Sequence, residues 1–230
     1  WLRSRIDAGK NALNANDPGT GKTIEALCAL TADMPVLVIG PASVQRNWAR
    51  EVRGTGAMFG FQGWRPDFSV ALVERADFRW PVSGEIVIAR WSSLPFVAGM
   101  SNHAPLDPLW AALGKPMHGT LLVYDEAQYA KSSNAQRTAR ARTLGRAVQM
   151  EGGVLLGLTG TPMLNRPDEL WNILDMLGLC EEAFGSGPGQ LLQKTGAWER
   201  FCYLFDFHES QWGIPRAAAR EALSQVMLRH

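Results

Sequence analysis

Asn16-Asp17-Pro18-Gly19-Thr20-Gly21-Lys22-Thr23 decides the fold, because the residues on either side of it differ in character. Residues 11–15 are a short mixed run that enters the glycines as a strand would. Residues 24–31 carry Glu25, Ala26, Leu27, Ala29 and Leu30, all helix formers. Strand, glycine loop, helix is the unit from which parallel α/β sheets are built.

Working outward, Met34-Pro35 breaks that helix, and Val36, Leu37, Val38 and Ile39 are apolar without alternation, as in a strand buried on both faces. Pro41 ends it. Val44, Trp48 and Val52 follow at helical spacing. Residues 54–63 are glycine-rich without periodicity and read as a mobile loop. Residues 68–73 and 86–89 read as two more strands, 92–108 as irregular chain, and 109–113 as a short helix. Residues 120–124 form another buried strand that stops at Asp125-Glu126, and a long helix spans about 134–149. Residues 153–158 are the last buried strand, ending in Thr159-Gly160-Thr161-Pro162. Residues 167–177 form a helix with proline in its first turn, acids behind it and Gly178 as the stop. A glycine-proline hinge at 185–189 leads to helices at about 198–205 and 215–228. The pattern predicts an α/β fold with a mainly parallel sheet, helices on both faces, and a C-terminal helical layer.

The chain has 230 residues, 46% of them apolar, enough to bury a core and to exclude wholesale disorder. A net charge of +1 rules out a basic arm or acidic tail as the main device, although a local basic face can sit on a neutral whole. Cys28, Cys180 and Cys202 lie far apart with no CxxC pair, which supports neither a disulfide framework nor a structural metal. No apolar run approaches the ~20 residues of a membrane helix, and no signal peptide is read.

Glycines let backbone N–H groups approach phosphate oxygens, and the helix behind them adds its positive end. On this reading Gly19, Thr20, Gly21, Lys22 and Thr23 bind nucleotide, Lys22 reaches the β- and γ-phosphates of ATP, and the Thr23 hydroxyl holds Mg²⁺. The glycine that begins the general pattern is replaced by Asn16, so a plain glycine turn into a helix also fits. Asp125 and Glu126 end a buried strand, where α/β sheets bind ligands. Asp125 is expected to hold Mg²⁺ through water and Glu126 to orient or deprotonate an attacking water. An acidic pair opening an exposed turn is the plainer alternative.

Taken together and in this order, GTGKT, DEAQ (125–128) and LTGTPMLN (158–165) resemble motifs I, II and III of superfamily-two helicases. The likeness is to the Swi/Snf-type branch of DNA translocases, its annealing-helicase-like members included. Pro41-Ala42-Ser43-Val44-Gln45-Arg46-Asn47-Trp48-Ala49-Arg50-Glu51 is similar to that branch's motif Ia. Val87-Ile88-Ala89-Arg90-Trp91-Ser92-Ser93-Leu94 is similar to motif Ib, and Val226-Met227-Leu228-Arg229-His230 to its "MLRR" segment. The resemblance implies a RecA-like P-loop domain over 1–180 and a helical extension over 181–230. It also implies an adenine-reading glutamine motif upstream of Trp1 and a second RecA-like lobe, bearing an arginine finger, beyond His230. ATP and Mg²⁺ would be the cofactors, duplex or forked DNA the partner, and the cytoplasm or nucleus the place of work. Lys22 and Glu126 would be catalytic, while Gln128, Thr159, Gly160 and Thr161 would couple the nucleotide to the DNA track. Two positions depart from the family pattern: Asn16-Asp17-Pro18 stands where two acids and a bulky residue are usual, and Gln128 stands where histidine is.

Ser43, Gln45 and Asn47 are placed for contacts with the DNA backbone if motif Ia is correct. Lys131, Arg137, Arg140, Arg142 and Arg146 run without an intervening acid. Arg137, Arg142 and Arg146 are the nucleic-acid candidates among them, and a solvated helix face is the equal alternative. Trp48, Trp110 and Trp171 read as packing residues, whereas Trp64 and Trp80 lie in loops where stacking on bases is open. Two other classes stay open: the motor subunit of a restriction or packaging machine, and a non-catalytic nucleotide-binding module.

Overall fold

The computed structural model describes residues 1–55, 60–95, 105–185 and 196–229. Its elements run α1 (Leu2–Asp7), β1 (Ala12–Asn14), α2 (Lys22–Cys28), β2 (Val36–Gly40), α3 (Ala42–Arg53), β3 (Ser69–Val73), β4 (Glu85–Arg90), α4 (Asp107–Leu113), β5 (Leu121–Asp125), α5 (Gln136–Met150), β6 (Val154–Leu158), α6 (Pro167–Met176), α7 (Cys180–Phe184), α8 (Ala197–Leu204), β7 (Phe207–His208), β8 (Gln211–Trp212), α9 (Ala217–Ser224) and β9 (Met227–Leu228). Short 3₁₀ turns at Trp91–Ser93 and Ala127–Ala130 follow β4 and β5. Seven strands form one sheet in the order β3-β4-β2-β5-β6-β1-β9. Every pairing in it is parallel.

The unbroken apolar runs of the central strands follow from this arrangement, since alternate side chains enter opposite cores. Leu37, Ile39, Leu122 and Tyr124 pack under α5, α6 and α8. Val36, Val38, Leu121 and Val123 pack against α1, α2 and α3. Edge strand β3 is only partly covered, with Val70 and Val73 buried and Ser69 and Leu72 exposed. Register aligns the strand ends: Arg90 pairs with Gly40, Asp125 with Leu158, and Leu158 with Asn14. The glycine loop, Asp125-Glu126 and Thr159–Thr161 therefore leave the sheet side by side.

The C-terminal part differs in detail from expectation. Residues 215–228 were expected as one helix, but α9 is shorter, and the chain then turns into β9 beside β1. The two-residue strands β7 and β8 make a hairpin of their own. Phe184, Phe201, Phe205 and Ala222 share the core under the sheet with Leu170 and Ile173, so α7–α9 are packed on the lobe. Phe201 lies 5.2 Å from Trp171 and 5.7 Å from Trp212, ring centre to ring centre. Arg5 ties the start of the chain to this region. Its guanidinium makes two 2.7 Å bonds to Glu182 and donates to the Gln225 carbonyl at 2.9 Å. Residues 186–189 of the expected hinge lie outside the described residues. Trp80, read as a loop residue open to stacking, is buried and donates to the Gly114 carbonyl at 2.9 Å.

Candidate functional site

A cleft of about 560 Å³ opens where β1, β5 and β6 end. Gly19, Gly21, Lys22, Thr23, Asp125, Glu126, Gln128, Gly160 and Thr161 line it, from three separate stretches of chain. Gly21 has φ +87°, a left-handed conformation that a side chain would strain, and α2 starts directly behind it. The Lys22 ammonium turns back on its own loop and donates to the Asn16 and Asp17 carbonyls, both at 2.8 Å. The Thr20 hydroxyl donates to the Asp17 carbonyl at 2.8 Å, and Thr20 is not among the residues that line the cleft. Gly160 has to be glycine, because a Cβ there would meet the Pro18 ring at 2.7 Å. Motifs I and III are thus pressed directly together.

Asp125 is 8% exposed, and two tryptophans hold it. Trp48 of α3 donates its indole N–H to Asp125 Oδ2 at 2.7 Å, and Trp91 donates to the Asp125 carbonyl at 3.0 Å. Burial pushes the Asp125 carboxyl above its ordinary range; the Trp48 bond opposes this, and the Glu126 charge adds to it. Glu126 adopts a left-handed backbone with φ 53°, which turns its side chain into the cleft. Gln128 Nε2 donates to Glu126 Oε2 at 2.7 Å, and Gln128 Oε1 accepts from the Thr159 hydroxyl at 2.6 Å. Thr159 Oγ1 in turn accepts from the Thr161 N–H at 3.1 Å. One chain of hydrogen bonds therefore joins Glu126 to the loop after β6. Thr159 itself is fully buried and reaches the cleft only through this chain.

The buried carboxylate of Asp125 faces the same cleft as the Thr23 hydroxyl and Lys22. That donor set fits a divalent ion carried in on phosphates, and among the described residues no three His, Cys, Asp or Glu side chains gather into a protein cage.

The nucleic-acid candidates separate into two groups. Ser43 is exposed, Asn47 lines the nucleotide cleft, and Arg137 lies over the Tyr129 ring at 5.6 Å. Arg146 is half-buried. Gln45 and Arg142 are corrections, because neither presents its polar end to an outside phosphate. Gln45 is buried, donating to the Ile88 carbonyl at 3.2 Å and accepting from Arg90 at 2.8 Å. Arg142 is buried against Asp175 at 2.6 Å. Helical spacing gave Arg142 and Arg146 a common face, but that face turns inward where α6 supplies the acid. A second cleft, of about 510 Å³, collects Arg75, Arg90, Arg137 and Arg140 around Trp91 and Tyr129. Burial, then the Arg75 charge, presses Arg140 below the ordinary guanidinium value. Arg75 and Arg90 were missed because they stand alone in sequence and come to one cleft only where the paired strands β3 and β4 end side by side. Trp48 and Trp91 were missed as site residues because an apolar helical face and a loop aromatic carry no sign of the carboxylate they contact.

Among the described residues no helix is long and apolar enough to cross a membrane. A family model described as the SNF2-related domain matches residues 1–186. YwqA of Bacillus subtilis, provisionally named an ATP-dependent helicase/translocase, is 31% identical over 77% of this chain and 18% of its own length. The human DNA annealing helicase and endonuclease ZRANB3 is 26% identical over 94% of this chain and 18% of its own. The chain thus spans less than a fifth of either relative. Among solved structures, the Sulfolobus solfataricus SWI2/SNF2 ATPase core in complex with dsDNA superposes with a TM-score of 0.61. It is 22% identical, over 100% of this chain and 42% of that one.

Proposed function

The chain belongs to the SNF2-related domain family, and from that premise we propose that it is the ATP-binding lobe of a DNA-dependent translocase that remodels or reanneals duplex DNA. Residues 1–180 would form the lobe and 181–230 its helical extension, working with a second RecA-like lobe, on DNA, in the cytoplasm or nucleus. One observation carries the reading: Lys22, Thr23, Asp125 and Glu126, from separate strand ends, line a single cleft.

The roles follow from the contacts. Lys22 exchanges the Asn16 and Asp17 carbonyls for phosphate oxygens, while the backbone N–H groups of Gly19 to Thr23 supply neutral donors. Thr23 and Asp125 would hold Mg²⁺, and bound Mg-ATP would bring the terminal phosphoryl group that passes to water. Glu126 orients that water and takes its proton, held in place by the Gln128 amide. Gln128 hydrogen-bonds Glu126 and Thr159 at once, which supports a coupling role for this position. A shift of the loop at Thr159–Thr161 then reaches the base directly.

For DNA, the cleft of Arg75, Arg90, Arg137 and Arg140 supports a backbone contact that ignores sequence. Ser43, Asn47 and Arg146 stay in the proposal as flanking contacts. The test is Glu126→Gln in the full-length protein. ATP binding should stay within about twofold while hydrolysis falls by about 10² or more, because the residue handles water and not phosphate. Equal loss of binding and hydrolysis would overturn the assignment.

A further inference from the structure

The departure at Asn16 has a counterpart nine residues on. Asn14 and Asn16, both buried, aim their amide N–H₂ groups at the same carboxylate, that of Glu25 on the first turn of α2. Asn14 donates to Glu25 Oε2, and Asn16 lies 3.3 Å from each Glu25 oxygen. The other end of the Asn14 amide accepts from the Asn16 N–H at 3.1 Å. The Asn16 carbonyl is one of the two that hold Lys22, at 2.8 Å. The end of β1, the entry to the glycine loop, the first turn of α2 and the catalytic ammonium are therefore joined through one carboxylate.

We propose that Glu25, Asn14 and Asn16 form a lock that sets where Lys22 sits, which makes Glu25 a positioning residue for nucleotide binding. The proposal rests on the nucleotide reading of the cleft. Its chemistry is a matching rule. Two amides supply donors and the carboxylate supplies acceptors, so each buried polar atom in the cluster has a partner. An acid at position 16 would set two carboxylates face to face in a buried space. The loop would then turn aside and take the Asn16 carbonyl away from Lys22. An acid at 16 becomes acceptable when position 25 carries an amide, since donor and acceptor are only exchanged.

The experiment uses the 230-residue chain, a fluorescent ATP analogue with Mg²⁺, and thermal melting of the same samples. Asn16→Asp should weaken analogue binding by about tenfold and lower Tm, while Asn16→Asp with Glu25→Gln should return affinity to within about threefold of the parent. Glu25→Gln alone should lose less than Asn16→Asp. Recovery by the exchanged pair is the readout that a merely structural role would not move. If Asn16→Asp does not fold, a double variant that folds and binds like the parent supports the lock. A double variant no better than Asn16→Asp, or an Asn16→Asp chain that binds normally, overturns it. Failure of the parent chain to bind the analogue would overturn the nucleotide reading instead, and the melting temperatures would still decide the lock.

Discussion

Trp48→Phe keeps an aromatic ring in the core beneath α3 but removes the N–H that reaches Asp125 Oδ2 together with part of the buried indole, so its effect has to be read against a background that lacks the carboxylate. A buried carboxylate oxygen then loses its 2.7 Å donor, which typically costs about 1–3 kcal/mol. Urea unfolding at neutral pH should show that loss, and the same substitution in an Asp125→Asn background should show clearly less. Equal losses in both backgrounds would mean that the ring, and not its N–H, matters. At this scale legibility depended on contiguity. Lys22 with Thr23, and Asp125 with Glu126, could be read because their chemistry lies in adjacent residues. The two tryptophans that hold Asp125 come from 77 and 34 residues away, and only folding brings them to it. The Asn14–Asn16–Glu25 cluster escaped for a related reason: an asparagine pair and a helix glutamate are ordinary in sequence.

Glu169 fastens the loop after β6 to the first turn of α6, reaching back to accept from the N–H groups of Leu164 and Asn165 at 2.8 and 2.9 Å. Burial pushes its carboxyl up, but these two donors and the Lys131 ammonium outweigh it and hold the group down at about 2. Unfolded, it titrates near 4.5, so its contribution is present above that value and is lost as the pH falls toward 2. Glu169→Gln should cost about 1–2 kcal/mol at pH 7, and the cost should shrink in unfolding measurements made progressively below 4.5. A pH-independent difference would remove the ion from the account. α5 supplies a second contrast. Arg137→Ala with Arg140→Ala should weaken duplex binding alike for all sequences and flatten its salt dependence, while Arg142→Met should leave the slope unchanged. Helix α6 was readable from its proline and acids. The inward turn of Arg142 was not, because Asp175, which neutralises it, belongs to another helix.

At the scale of the molecule, the alternation of strands and helices announced a parallel sheet, and strand ends that carry motifs announced where its site lies. Strand order and the return of the chain to the sheet were hidden, since β9 is two residues long and gains its identity only from β1. As a single lobe the chain should bind Mg-ATP yet release phosphate very slowly, with no response to duplex DNA. An arginine finger contributes ~10³–10⁵ in related chemistry, and it would come from a second lobe. Phosphate-release rates with and without DNA test this, and brisk DNA-stimulated turnover by these 230 residues would refute it. The placement of β9 also has a mechanical meaning. Leu13 and Ala15 donate to the Val226 and Leu228 carbonyls at 3.0 and 2.8 Å, and Arg229 lies 3.6 Å from Asp17 of the glycine loop. Tension along the chain at Arg229 would load these bonds in shear, all of them at once, and would not unzip them singly. The pull would therefore arrive at β1, the strand that leads into the glycine loop and Lys22, as a tiller line arrives at a rudder.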